Sequence, residues 1–162
     1  MSEDAIQQLV ATVHARTMLE LREALRAAGA GTLQRIAVDI VPALFRNDYS
    51  GEAASSGEGW AEAIARPAVA ALPSHLVRVH AGSFGAAGAS GLLASMRDAG
   101  VAQAALVMVS DVPLAPELRE TLLAAVPWVI DMDGLVNLMI NAAVGVTIRG
   151  YETRRLDPGY FR

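Results

Sequence analysis

Apolar residues recur at helical spacing through the first quarter of the chain and then change to short runs. From Ser2 to about Ala28, the residues Ile6, Leu9, Val10, Val13, Leu21 and Leu25 fall on one side of a helix, which Ser2 can cap and Gly29 to Gly31 can end. A second helix is expected with Thr32 as its N-cap, burying Leu33, Ile36, Ala37, Ile40, Val41 and Leu44, with Pro42 ending or bending its last turn. The stretch Asn47 to Trp60 is rich in glycine and serine and reads as a loop.

Beyond that loop, short apolar runs alternate with helical stretches, which is the pattern of an α/β fold. Ala61 to Ala65 and His75 to His80 are expected strands, joined through Pro67 and Pro73. A helix follows from about Ser90 to Ala99, stopped by Gly100, and Ala104 to Ser110 reads as a buried strand. Pro116 suits the first turn of another helix, running to about Ala125, and Trp128 to Asp131 forms a further strand. Asp131 or Asp133 can cap the helix that carries Leu135, Val136, Leu138, Met139 and Ile140. The tail is β-rich, with strands expected at Val144 to Arg149 and Tyr151 to Arg154.

Composition narrows the class. At 162 residues the chain has the length of one domain, large enough to bury a real core. Hydrophobic residues make up 53% and aromatics only 5%, so Ala, Val, Leu and Ile must build that core, and the apolar excess implies a protein partner or a homo-oligomer. No apolar stretch is long enough for a bilayer, and the acidic start at Glu3 and Asp4 is unlike a signal peptide. With no cysteine, thiolate catalysis and Cys-type zinc sites are excluded, and a cytoplasmic setting is expected. All 13 basic residues are arginine, and the net charge of −4 denies the chain a global basic field, so DNA binding is expected to be weak at most.

Val129-Ile130-Asp131-Met132-Asp133-Gly134-Leu135-Val136-Asn137-Leu138-Met139-Ile140, then Val144-Gly145-Val146, resembles the closing strand and helix of the Mrr-like restriction endonucleases. The ending from Tyr151 to Arg155, with Asp157, Tyr160 and Phe161, is similar to that family's ending, and Leu106 to Ser110 resembles its strand ending in Thr-Thr-Ser. Gly57-Glu58-Gly59-Trp60-Ala61-Glu62 stands where the family has Gly-Asp-Gly-Gly-Ile-Asp, and Val77-Arg78-Val79-His80 stands where it has a Gln-x-Lys or Glu-x-Lys strand. The resemblance implies a central mixed β-sheet flanked by helices over residues 46–162, preceded by a helical lead-in over residues 1–45. It also implies that Glu62 replaces the catalytic Asp, Arg78 the metal-side Gln or Glu, and His80 the Lys.

These replacements change the chemistry. Metal-dependent phosphodiester hydrolysis needs oxygen ligands for Mg²⁺ and a cation that stabilises developing charge. Glu62 could still offer oxygens, although an extra methylene moves the carboxylate by about a bond length, and ~1 Å of misplacement can cost on the order of 10²-fold in rate. Arg78 is permanently charged and only donates, so it would repel Mg²⁺ and pair with Glu62 instead. His80 is at most partly cationic near neutrality. Strand alternation puts Arg78 and His80 on one face and Val77 and Val79 on the other.

The expected function is therefore an inactive or impaired restriction-endonuclease-like domain that binds DNA or protein in DNA restriction, defence or processing, with no cofactor. The alternative is an active endonuclease in which Glu62 and Glu58 hold Mg²⁺ with His80 as base or charge stabiliser, and a further alternative is a structural oligomeric subunit. His14, His75 and His80 lack zinc-ligand spacing. Asp131 and Asp133 stand either at a ligand crevice or as helix caps, and Ser110 with Asp111 either touches phosphate or starts a turn. Gly82 to Gly88 lacks the Lys-Ser or Lys-Thr of a phosphate loop and reads as a flexible connector. Arg149, Arg154 and Arg155 are candidates for DNA-backbone contact or for plain solvated arginine.

Overall fold

A computed structural model describes residues 2–162, without the side chain of Glu152; Met1, where the expected helical lead-in begins, lies outside the described residues. Helix α1 (Glu3–Arg26) starts at Ser2, whose hydroxyl accepts from the Ala5 amide at 3.2 Å. Helix α2 (Ala30–Asp39) and the single turn α3 (Val41–Leu44) follow, with Pro42 in the first turn of α3. Three strands come next: β1 (Tyr49–Gly57), β2 (Trp60–Pro67) and β3 (His75–Ala81). Helix α4 (Ala86–Ala99), strand β4 (Ala104–Val109), helix α5 (Pro116–Leu122), strand β5 (Trp128–Ile130) and helix α6 (Met132–Ala142) complete the main body. Strands β6 (Val146–Ile148) and β7 (Arg154–Leu156) form a separate antiparallel pair.

The main sheet is five-stranded and mixed, in the order β1-β2-β3-β4-β5. The pairs β1–β2 and β2–β3 are antiparallel, whereas β3–β4 and β4–β5 are parallel, so helices must cross over between the last three strands. Alternation divides the strand residues between two cores. One face sends Ala61, Ala63, Ala65, Val77, Val79, Ala105 and Val107 against Leu21, Leu25, Leu33, Ile36, Leu135 and Met139 of α1, α2 and α6. The other sends Ile64, Leu76, Ala104, Leu106 and Met108 against Leu92, Met96 and Leu122 of α4 and α5. The alanines of β2 let α2 lie close on the sheet. Residues before and after position 45 share the first of these cores.

Several expectations change. Asn47 to Trp60 is not a loop: most of it is β1, an edge strand whose small residues pair with β2 and whose register slips between Ala53 and Ser56. Thr32 is not the N-cap of α2; the cap is Gly29, and Thr32 is buried in the first turn of the helix. The flexible connector ends earlier than expected, because Ala86, Ala87 and Gly88 already form the first turn of α4. The last tail strand lies at Arg154–Leu156, since Gly150 to Glu152 makes a tight helical turn with Tyr151 in the left-handed region at φ 57°.

The tail hairpin is anchored to α1 through Thr17, which is buried and donates its hydroxyl to the carbonyls of Val13 at 2.9 Å and Arg154 at 2.7 Å. His75 opens β3 inside an aromatic cluster, stacked on Phe45 at 4.9 Å and Tyr49 at 5.8 Å and edge-on to Trp128 at 5.0 Å. Burial holds its pKa below the ordinary 6.5. A group with a depressed folded pKa is protonated first in the unfolded chain, so its contribution to stability is full above pH 6.5 and is lost as pH falls below that value. Melting temperature is thus expected to drop on acidification from about pH 7.5 to about pH 5.5, with a shallower drop in His75→Leu, as followed by circular dichroism. Equal slopes for the two proteins would refute this assignment.

Candidate functional site

The antiparallel register of β2 and β3 sets Glu62 opposite Arg78 and Trp60 opposite His80. All four side chains therefore project from the face that α4 covers. The Arg78 Nε donates to Glu62 Oε2 at 2.8 Å, and the two side chains are 4% and 1% exposed. The guanidinium carbon lies 4.2 Å from the centre of the Trp60 ring, a cation–π contact that offsets part of its lost hydration. Its Nη1 also faces the Gly88 carbonyl at 3.5 Å.

Two glycines of α4 lie beside this region: a Cβ at Gly88 would meet the Phe84 ring at 2.9 Å, and Gly91 faces the guanidinium. A Cβ at Gly91 would stand 3.4 and 3.5 Å from the guanidinium nitrogens, the near limit of ordinary packing, so the helix passes directly over the charge. The pair is roofed by a helix backbone, stacked on an indole and closed to solvent. A metal ion that sought Glu62 would have to displace a permanently charged hydrogen-bonding partner in a dry site, where separating two charges is most costly.

His80 stands at the rim of this region. Its Nε2 lies 3.2 Å from the Ser83 carbonyl and its ring meets Phe84 edge-on at 5.1 Å. Burial first, and then the positive charge of Arg78, hold its pKa below the ordinary 6.5 against the opposing bond to Ser83. Burial and the neighbouring guanidinium thus disfavour the imidazolium, and with it the cation that a departing phosphate oxyanion needs. Glu58 lies on the exposed turn between β1 and β2. Among the described residues no group of three or more His, Asp or Glu side chains is disposed to hold a metal.

A second concavity, of about 380 Å³, opens at the carboxyl ends of β4 and β5, where open α/β sheets commonly bind ligands. Its acidic side chains are already engaged. Asp131 caps α6 by accepting from the Gly134 amide at 2.8 Å, Asp133 pairs with Arg22, and Asp111 pairs with Arg26 at 2.9 Å. Ser110 accepts from the Val112 amide at 3.0 Å, which is a turn contact.

The arginines singled out from the tail lie elsewhere. Arg154 donates to the carbonyls of Ile140 and Asn141 at 2.7 and 2.8 Å, closing the carboxyl end of α6. Arg149 and Arg155 are exposed and line a hollow with Glu20. Since α6 has 11 residues, roughly 16 Å of helix separates Ser110 at one end from Arg154 at the other. Arg149 and Arg155 share one hollow, while Ser110 and Arg154 line others.

Trp60 and Gly91 are not among the site residues expected from the sequence, although Trp60 shares the alternating face of Glu62, and Gly88 is read there as the end of a connector. Compared with family models, curated proteins and solved structures, the chain matches none.

Proposed function

We propose that the protein is a non-catalytic binding module with a restriction-endonuclease-like fold, in which an internal ion pair stands where the resemblance puts the metal. The observation that carries this reading is the sealed Glu62–Arg78 pair under α4. A mixed sheet flanked by helices on both faces is compatible with that fold. The active alternative needs Glu62 and Glu58 on one metal, and nothing in their disposition supports it.

Charge favours a protein partner over DNA. Seven of the 13 arginines, at positions 22, 26, 35, 46, 66, 78 and 154, are held by carboxylates or carbonyls of the chain itself. Phosphate binding would compete with those contacts on a body of net charge −4.

The test is a supercoiled-plasmid nicking assay in Mg²⁺ and in Mn²⁺, with Glu62→Gln as the control and circular dichroism to verify folding. Both proteins are expected to leave the plasmid intact. Metal-dependent nicking by the wild-type chain that Glu62→Gln abolishes would overturn the reading.

A further inference from the structure

The aromatic cluster at the start of β3 ties four elements together through one titratable ring. Phe45 caps α3, Tyr49 opens β1 and Trp128 opens β5, and all three meet His75, the first residue of β3. Phe45 also meets Tyr49 at 5.7 Å and Trp128 at 5.1 Å, so the rings form a box around the imidazole. His75 is 7% exposed, and its Nδ1 is buried with no hydrogen-bond partner among the described residues. The Tyr49 hydroxyl is engaged elsewhere, donating to the Pro73 carbonyl at 2.9 Å.

An unpartnered Nδ1 suits a neutral ring and not a charged one. In the neutral imidazole it can carry the lone pair, whereas in the imidazolium it becomes a charged donor shut away from acceptors. The surrounding elements offer no spare carboxylate. Arg46 holds Asp48 at 3.1 Å and Arg66 pairs with Glu52, while β4 and β5 carry no charged residue. Burial accordingly keeps the His75 pKa below 6.5.

The segment that closes the box is thinly held. From Pro42 to Asp48, the apolar side chains packed against the main core are Leu44 and Phe45, and hollows of about 530 and 600 Å³ border this segment. We propose that the box is a pH-sensitive latch: protonation of His75 opens it locally, freeing the segment from Pro42 to Asp48 and exposing Trp128 while the sheet stays folded. The latch goes beyond the cost of acid to overall stability and is independent of the Glu62–Arg78 pair. Because the opened ring has the ordinary pKa and the closed ring a lower one, opening takes up a proton. The open-to-closed ratio therefore rises by up to about tenfold for each pH unit below 6.5, until the pKa of the closed ring is reached.

Acid titration followed by nuclear magnetic resonance tests it, from about pH 8 to about pH 4.5. The His75 ring signal, assigned by its loss in His75→Leu, reports protonation. Fluorotryptophan at position 128, assigned with Trp128→Phe, reports opening. The His75 midpoint is expected below pH 6.5, and a second Trp128 signal is expected to grow with the same midpoint while far-ultraviolet circular dichroism holds its value. In His75→Leu the Trp128 signal should stay single throughout. A midpoint at or above pH 6.5 would show that the aromatic faces favour the imidazolium, and the latch would be overturned. So would a ring that stays neutral to the end, a Trp128 signal indifferent to the titration, an opening that survives in His75→Leu, or secondary structure lost in the same step.

Discussion

Replacing Arg78 by methionine is expected to destabilise the fold by about 3–5 kcal/mol, because it strands the Glu62 carboxylate in a site that solvent does not reach. The stranded charge can escape only by taking up a proton or by drawing water beneath α4, and both disturb the packing of Leu92 and Leu106. Glu62→Leu strands the guanidinium instead and should be comparably harmful, although Trp60 would still stack on it. The double variant Glu62→Leu with Arg78→Met removes both charges. It is expected to regain most of the loss, and buried pairs replaced in this way are often neutral or more stable by about 1–4 kcal/mol. Urea denaturation of the four proteins gives the coupling directly. Additive single effects would mean that the two side chains do not act as a pair.

Gly51→Ala is the second large effect. A Cβ there would fall 2.3 Å from the Val38 carbonyl oxygen and 2.8 Å from its Cα, both atoms of the α2 backbone. No side chain can rotate out of the way, so either α2 lifts or the edge strand β1 detaches. A loss of about 3 kcal/mol is expected, at the upper end of ordinary overpacking. Gly31→Ala is the matching control: a Cβ at Gly31 meets nothing within 4 Å, and alanine is the better helix former by up to about 1 kcal/mol. Thermal unfolding should show Gly51→Ala melting far below the wild type and Gly31→Ala at or above it. A silent Gly51→Ala would show that β1 and α2 are not in close contact.

The elements legible in the sequence are those whose periodicity is set by a single buried face. α1 and α6 declare themselves through helical spacing and through the caps Ser2 and Asp131, and β3 and β4 through compact apolar runs. β1 is illegible for a physical reason. Its residues Ser50, Glu52, Ala53, Ala54, Ser55 and Ser56 are exposed, so no alternation marks it, and its extended form comes from β2 on one side and α2 above. Thr32 misleads because a threonine that can cap can also fill a core, and only the depth of α2 decides between them. At the candidate site, strand alternation makes the shared face of Arg78 and His80 readable, and opposite charge makes the partnership of Glu62 and Arg78 readable. The roof of α4 is not, since Gly88 looks like a connector glycine until the helix is seen to begin at Ala86, and nothing in the sequence sets Gly91 over Arg78.

The central claim is that the Arg78 guanidinium is locked onto Glu62 away from water and metal. Nitrogen-15 NMR of the Arg78 Nε–H, assigned by its loss in Arg78→Met, addresses it with one signal. The account expects a slowly exchanging resonance that stoichiometric Mn²⁺ leaves sharp. Fast exchange with water, or selective broadening by Mn²⁺, would contradict it, because either result would place solvent or a metal ion where the ion pair stands.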